Sequence, residues 1–279
     1  MDTAVERAVA YMRERFGDPL TVTDIAERAR LSRFHFSRAF KEETGVGPGR
    51  FLAAVRLHEA KRLIGSTSMG IAEVSVRVGY SNLGSFTDSF TAGVGLSPGR
   101  FRRLCRDAGQ APPEPQPGPR SERGAVAGTV RLPEGYGNAR VYLGAFATAV
   151  VQYPAVAAAV VDVPSDRPSC YTLHHVPQGD WHLLAVAVAA GTGHDPRDGW
   201  SALVGGHGTA TVSVAAGTVT SAAVRLRPER PVDPPVLLAL PELRPPATVV
   251  PPPGCAAAAS APVGGRLRVV PAAPVPSGA

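Results

Sequence analysis

Cysteine is scarce in this chain. Cys105, Cys170 and Cys255 are its three, far apart, odd in number and without a CxxC pair. No disulfide framework is legible in that spacing, and a reducing cytoplasm is the plain expectation. The first twenty residues alternate charges with apolar positions and lack the apolar core of a secretory signal. Long apolar runs are also missing. The uncharged stretch from Val141 to Val161 is broken by Gln152 and Pro154, consists largely of alanine and valine, and is followed by Asp162. It reads as two buried strands around a turn rather than a membrane span. Within residues 124–228 neither HExxH nor GxSxG occurs, which removes from that region the two most readable hydrolase signatures.

Proline and glycine, by contrast, are plentiful, and proline is uneven. Of the 28 prolines, 19 lie in residues 112–119 and the region from Pro228 onward, where little can be buried, while the 30 glycines are spread along the chain. These stretches mark a proline-rich linker, 109–123, and a disordered Pro/Ala-rich tail, 229–279. Charge is uneven too. Of the formal +6, residues 1–108 hold +5, from 17 Lys/Arg against 12 Asp/Glu. A basic front and a near-neutral remainder fit a nucleic-acid binder followed by a module with another task.

The front of the chain contains one unit written twice. Gly45-Val46-Gly47-Pro48-Gly49-Arg50-Phe51 returns fifty positions later as Gly95-Leu96-Ser97-Pro98-Gly99-Arg100-Phe101, and Phe36 and Phe40 return as Phe86 and Phe90. Upstream, Leu20, Val22, Ile25 and Arg28 return as Met69, Ile71, Val74 and Arg77 at an offset of forty-nine. The second copy therefore has one extra residue in the turn before its phenylalanines. Two copies are too few for a solenoid. They suggest paired reading heads for successive major grooves, which lie roughly 34 Å apart.

Periodicity and caps predict helices over 4–16, 22–29, 32–44, 48–64, 71–78 and 82–91, with a last helix from Pro98. Thr21 to Asp24 has capping-box spacing, Ser32 is an N-cap, Gly45 a C-cap, and Pro48 fits a first helical turn. On the helix capped by Ser32, Phe36, Ala39 and Phe40 form an inner side. Arg33, Phe34, Ser37, Arg38 and Lys41 form another. That second side offers guanidinium forks for guanine edges or phosphates, a hydroxyl, a ring for thymine methyls and an ammonium; its plain alternative is a solvated basic face. Arg56, Lys61 and Arg62 on the long helix either touch the DNA backbone or are solvated.

Residues 4–104 resemble the DNA-binding domain of the AraC family of bacterial transcription regulators. The resemblance rests on Leu20-x-Val22-x-x-Ile25-Ala26, Ser32-x-x-x-Phe36-Ser37-Arg38-x-Phe40-Lys41, Gly45-x-x-Pro48 and Arg56-Leu57-x-x-Ala60-x-x-Leu63. It continues in Ile71, Val78-Gly79-Tyr80, Phe86, Phe90 and Gly95-x-Ser97-Pro98-x-x-Phe101-Arg102. It implies an all-α domain, residues 1–108, of two helix-turn-helix units bridged by a long helix. It further implies that helices 32–44 and 82–91 enter adjacent major grooves of double-stranded DNA. The DNA-facing positions it implies are Arg33, Phe34, Ser37 and Arg38, then Leu83, Gly84, Thr87 and Asp88. The second set departs from the family, which usually carries an arginine or similar residue where Asp88 stands and a lysine near Thr91 and Ala92. Asp88 is then either a reader of cytosine amino groups or the mark of a weakly binding half.

From residue 124 short β-rich runs predict strands over 125–132, 139–146, 150–153, 156–163, 171–176, 181–189, 209–214 and 219–226. Pro133-Glu134-Gly135, Pro177-Gln178-Gly179-Asp180 and Ala215-Ala216-Gly217 supply turns. This reads as an antiparallel β-sandwich over 124–228. It is similar to carboxypeptidase-regulatory or prealbumin-like sandwiches through Gly128-Thr129-Val130, Ala139-Arg140-Val141, Tyr171-x-Leu173-x-x-Val176-Pro177-x-Gly179-Asp180-Trp181-x-Leu183 and Val214-x-x-Gly217-x-Val219. Such domains bind rather than catalyse. His174, His175, His182, His194 and His207 invite a metal or hydrolase reading, but no ligand pair has the spacing, and His174 and His175 on one strand should face opposite ways. The glycine-rich loop 190–208 is a candidate ligand loop through His194, Asp195, Arg197, Asp198 and Trp200.

The expectation is a cytoplasmic, multidomain, non-enzymatic regulator without metal or cofactor. It reads DNA in front and senses a small-molecule effector or partner protein through 124–228, with no membrane role. The alternative is a DNA-tethered adaptor whose sandwich is the working module.

Overall fold

The computed structural model describes residues 4–106, 113–116, 122–191, 200–206, 211–240, 243–249 and 270–271. The chain divides into two compact units. A helical unit takes its described residues from Met1–Glu114, Thr148–Pro154 and Arg230–Pro241; a β unit takes them from Pro115–Ala147, Ala155–Glu229 and Glu242–Ala279.

The helical unit repeats itself in structure as it does in sequence. After α1 (Ala4–Glu14) come α2 (Val22–Arg28), α3 (Arg33–Thr44) and α4 (Pro48–Ser66), then α5 (Ile71–Arg77), α6 (Leu83–Val94) and α7 (Pro98–Arg106). The caps explain the boundaries. Thr21 N–H donates to Asp24 Oδ2 at 2.7 Å while Asp24 N–H donates to Thr21 Oγ1 at 3.2 Å, a reciprocal capping box that also holds the Asp24 carboxyl below its usual range. Ser32 Oγ accepts from His35 N–H and Asn82 Oδ1 from Ser85 N–H, so α3 and α6 start with the same device. Both end at a left-handed glycine, Gly45 at φ +78° and Gly95 at φ +87°. Each copy has the same aromatic stack, Phe36–Phe40–Phe51 in the first and Phe86–Phe90–Phe101 in the second, with ring centroids 5.3–5.7 Å apart.

Two stretches depart from expectation in this unit. Residues 150–153, predicted as a strand, form a loop whose Val150 is buried in the helical core. β-branched residues gave the strand reading, and packing overrode it. Residues 230–240, assigned to a disordered tail, also belong to the helical unit, with Val232, Leu237, Leu238 and Ala239 buried. Their few apolar side chains are concentrated where the helices offer a surface, which composition averages over.

The β unit contains β1 (Arg123–Arg131), β2 (Tyr136–Phe146), β3 (Ala157–Val163), β4 (Ser169–Pro177), β5 (Gly179–Gly191), β6 (Trp200–Gly206), β7 (Val212–Val214), β8 (Thr218–Ser221), β9 (Val224–Pro228) and the two-residue β10 (Val270–Pro271). Hydrogen bonding links them in the order β10-β8-β1-β9-β6-β5-β2-β3, with β4 on the other edge of β1. The result is a nearly closed, barrel-like sheet rather than two plainly separate antiparallel layers. β1 pairs in parallel with β8 and β9, which the turn signals alone did not reveal. Ser169 Oγ donates to Asp162 O at 2.8 Å where β3 and β4 approach. Val126, Val130, Val141, Leu143, Leu173 and Leu203 fill the interior. Gly128 is required there, because a Cβ would run into the Ala222 carbonyl.

Three further corrections belong to this unit. β6 begins inside the region read as a loop and pairs with β5 from Ala190–Trp200 to Leu184–Gly206. His174 and His175 are both exposed. The register between β1 and β4 shifts beside them and His175 sits at φ +59°, so a bulge cancels strand alternation. Cys170 is disulfide-bonded, against the expectation of no disulfide, while Cys105 is a free, exposed thiol. Wide sequence spacing does not forbid a single bridge once a fold brings two sulfurs together.

Candidate nucleic-acid interface

α3 is fixed from both ends and from behind. Ser32 and Gly45 set its limits, and Phe36 and Phe40 lock its inner side at zero exposure. The opposite side carries the expected residues: Arg33, Phe34, Arg38 and Lys41 are exposed and Ser37 is half-buried. Phe34 stands out at 80% exposure. A phenyl ring left in water at a helix start costs hydration free energy in the free protein and suits apolar contact with thymine methyls. Arg38 donates from Nε to Glu42 Oε1 at 3.0 Å. A surface pair of this kind is worth about 0–1 kcal/mol. It engages only Nε and leaves the terminal amino groups for an acceptor. The i,i+4 spacing of Arg38 and Glu42 was a readable signal for this pair that the helix wheel passed over.

α6 has the same scaffold and a different chemistry. Leu83, Gly84 and Asp88 are exposed and Thr87 is half-buried. Across the repeat, Arg33 is replaced by Leu83, Phe34 by Gly84, Arg38 by Asp88 and Lys41 by Thr91. Three cationic positions thus become none, and one becomes anionic. No ion pair reaches Asp88 among the described residues. The structure brings the nine residues Arg33, Phe34, Ser37, Arg38, Lys41, Leu83, Gly84, Thr87 and Asp88 onto the outward sides of two matched helices.

Four other basic residues of the helical unit have structural work. Arg56 of α4 donates to Phe16 O at 2.8 Å and to Asp18 O at 2.7 Å, bracing the α1–α2 loop. Arg62 pairs with Glu59 at 2.8 Å. Lys61 turns inward, its ammonium 3.2 Å from Val236 O and 3.1 Å from Leu238 O and over the Phe101 ring. Burial lowers its pKa to about 8. Arg102 donates to Met69 O at 2.5 Å. None of these four is simply solvated. In the β unit, His194, Asp195, Arg197 and Asp198 lie outside the described residues, and Trp200 starts β6. Among the described residues no group of three or more His, Cys, Asp or Glu is placed to hold a metal, and no helix is long and apolar enough to cross a membrane.

Residues 25–104 match the family model described as a helix-turn-helix domain. The HTH-type transcriptional regulator YfiF of Bacillus subtilis is 35% identical over 98 residues, 35% of this chain and 31% of that protein. The HTH-type transcriptional regulator Rv1931c of Mycobacterium tuberculosis is 32% identical over 91 residues, 33% of this chain and 35% of that protein. Among solved structures, the DNA-binding domain of the global transcriptional factor AdpA in complex with a target DNA is 28% identical, with a TM-score of 0.37, over 38% of this chain and 95% of that one. The chain spans about a third of the length of the curated relatives it matches. Residues 25–104 are a helix-turn-helix domain. It is of the AraC type.

Proposed function

We propose that the protein is a sequence-specific DNA-binding transcription regulator in which α3 and α6 enter successive major grooves, with α3 supplying most of the affinity. The observation that carries this reading is the pair of identically capped twelve-residue helices, one presenting Arg33, Phe34, Arg38 and Lys41 outward. Arg33 and Arg38 supply phosphate and guanine contacts, Phe34 meets a thymine methyl, and Ser37 and Lys41 set position on the backbone. On α6, Leu83, Gly84 and Thr87 offer apolar and hydroxyl contacts. Asp88 repels phosphate and tolerates only a donor such as a cytosine amino group.

The β unit, a sandwich-type module in this reading, senses an effector or docks a partner protein and carries no catalysis. The regulator works in the cytoplasm, where its DNA is. Selection of bound duplexes from genomic fragments by the full chain tests the proposal. The expected motif has two half-sites about one helical turn apart, the first more information-rich than the second. Binding without any sequence motif would overturn it and favour a DNA-tethered adaptor.

A further inference from the structure

The two copies part company at the C-terminal turn of their reading helices. In α3 the sequence there is Lys41-Glu42-Glu43, charged and at least partly in solvent; in α6 it is Thr91-Ala92-Gly93, and Gly93 is buried. The cover is the segment 230–240. Leu237 packs so closely on Gly93 that a Cβ there would stand 3.3 Å from Leu237 Cδ1 and 3.3 Å from Leu57 Cδ1 of α4. A helix leaves its last four carbonyls without internal partners. At α6, Val94 O accepts from Ala239 N–H at 3.0 Å, and Gly93 O accepts from Tyr153 N–H at 2.8 Å. Val151 O in turn accepts from Leu237 and Leu238 N–H at 2.9 and 3.1 Å, tying the loop 148–154 to the segment. The segment's own carbonyls are gripped by cationic side chains of the helices. Lys61 holds Val236 O and Leu238 O, and Arg13 holds Pro231 O and Asp233 O at 3.1 and 3.3 Å.

We propose that residues 230–240 are a positioning strap for the second reading helix, which sets α6 against α4 so that both helices meet DNA at once. The proposal rests on the DNA-reading function given above. It explains why α6 has lost its charges at the turn where α3 keeps them: a charged side chain at Gly93 would displace Leu237 and lie buried without a partner. It also assigns Lys61 and Arg13, which donate to carbonyls of the segment, a role in recognition through α6. The strap adds no contact with DNA. It removes the freedom of α6 to tilt, an ordering cost otherwise met at binding.

The test uses the full chain with Leu237→Asp, and Lys61→Met as the second variant. Two readouts are taken: amide hydrogen exchange across residues 33–44 and 83–94, and the affinity ratio between the selected duplex and the same duplex with its second half-site scrambled. Leu237→Asp should speed exchange in α6 at least tenfold with α3 unchanged, and should cut the affinity ratio at least fivefold while first-half-site binding persists. Lys61→Met should speed exchange at residues 237–239 and shift the ratio in the same direction, by less. Unchanged α6 exchange, or equal acceleration in α3 and α6, overturns the strap. Absence of any duplex preference in the unaltered chain overturns the DNA reading instead, while the exchange data still decide whether α6 depends on the strap. Should Leu237→Asp fail to fold, Lys61→Met with unaltered exchange at 237–239 overturns the proposal by itself.

Discussion

Arg30 and Gly79 occupy the same turn in the two copies, and both are left-handed, at φ +58° and +84°. The turn geometry of the motif demands this, and only the second copy meets it with the residue suited to it. Arg30→Gly is expected to raise stability by about 0.5–1 kcal/mol, the left-handed cost of a side chain less the extra entropy of glycine. Gly79→Ala should lower it by about 1–2 kcal/mol or more, since its Cβ would lie 3.0 Å from Gly17 O and Phe16 O. Chemical denaturation of both variants checks the pair; a fall with Arg30→Gly would show the arginine side chain to be needed. The reading faces give a second residue-scale prediction. Arg38→Ala should weaken duplex binding by about 1–3 kcal/mol, and Thr87→Ala by less, in a titration at fixed salt. Equal losses would remove the asymmetry between α3 and α6. These positions were legible in the sequence because a helix wheel and a cap are local. The φ of Arg30 was not, since nothing in an arginine announces a left-handed turn.

At the scale of elements, α4 shows how far a helical pattern can be read. Its apolar positions and Pro48 announced a long helix between two lobes, and it runs over Pro48–Ser66. Its charges were misread as solvent or DNA contacts because their partners, Phe16 O and Asp18 O for Arg56 and Val236 O and Leu238 O for Lys61, come from distant sequence. Lys61 makes a pH prediction. Its folded pKa is about 8 against an ordinary 10.5, so above about pH 8 the unfolded chain holds the proton that the folded chain sheds. Stability therefore rises with pH across that window, by on the order of 1–3 kcal/mol. The burial cost is fully present below pH 8 and relieved above it. Thermal melts from pH 7 to 10 should show this rise in the unaltered protein relative to Lys61→Met; parallel curves would mean the ammonium is not desolvated. β6 and the 150–153 loop were missed for related reasons. The first lies in a glycine-rich stretch and itself ends in Gly205-Gly206, and the second has β-prone residues of which Val150 is buried against helices rather than in a strand.

On the scale of the whole molecule, the division at residue 108 suggested by composition does not coincide with the folded helical unit. That unit ends its first segment near Glu114 and then takes in residues 148–154 and 230–240, so two further stretches of chain return to it. A helical domain cut at 108 keeps both reading helices but loses Val150, Val232, Leu237 and Ala239 from its core. It also leaves Gly93 O and Val94 O without the amides that satisfy them. Burial of each large apolar side chain contributes roughly 1.5–3 kcal/mol before ordering costs. Even a net loss of about 1 kcal/mol lowers the melting temperature of a domain this size by roughly 4–8 °C. The fragment 1–108 is therefore expected to melt below the helical unit of the full chain and to bind its first half-site with little change. It should discriminate poorly at the second, because the missing segments meet α3 at its C-cap, where Ala149 packs against Gly45, but supply the amides that bond to the last carbonyls of α6. Differential scanning calorimetry and footprinting of fragment and full chain on one duplex measure both halves of this. Equal melting with equal footprints would mean the returning segments ride on a domain complete without them. A lower melt with a shortened footprint would show that the second reading head is built from three separate parts of the chain.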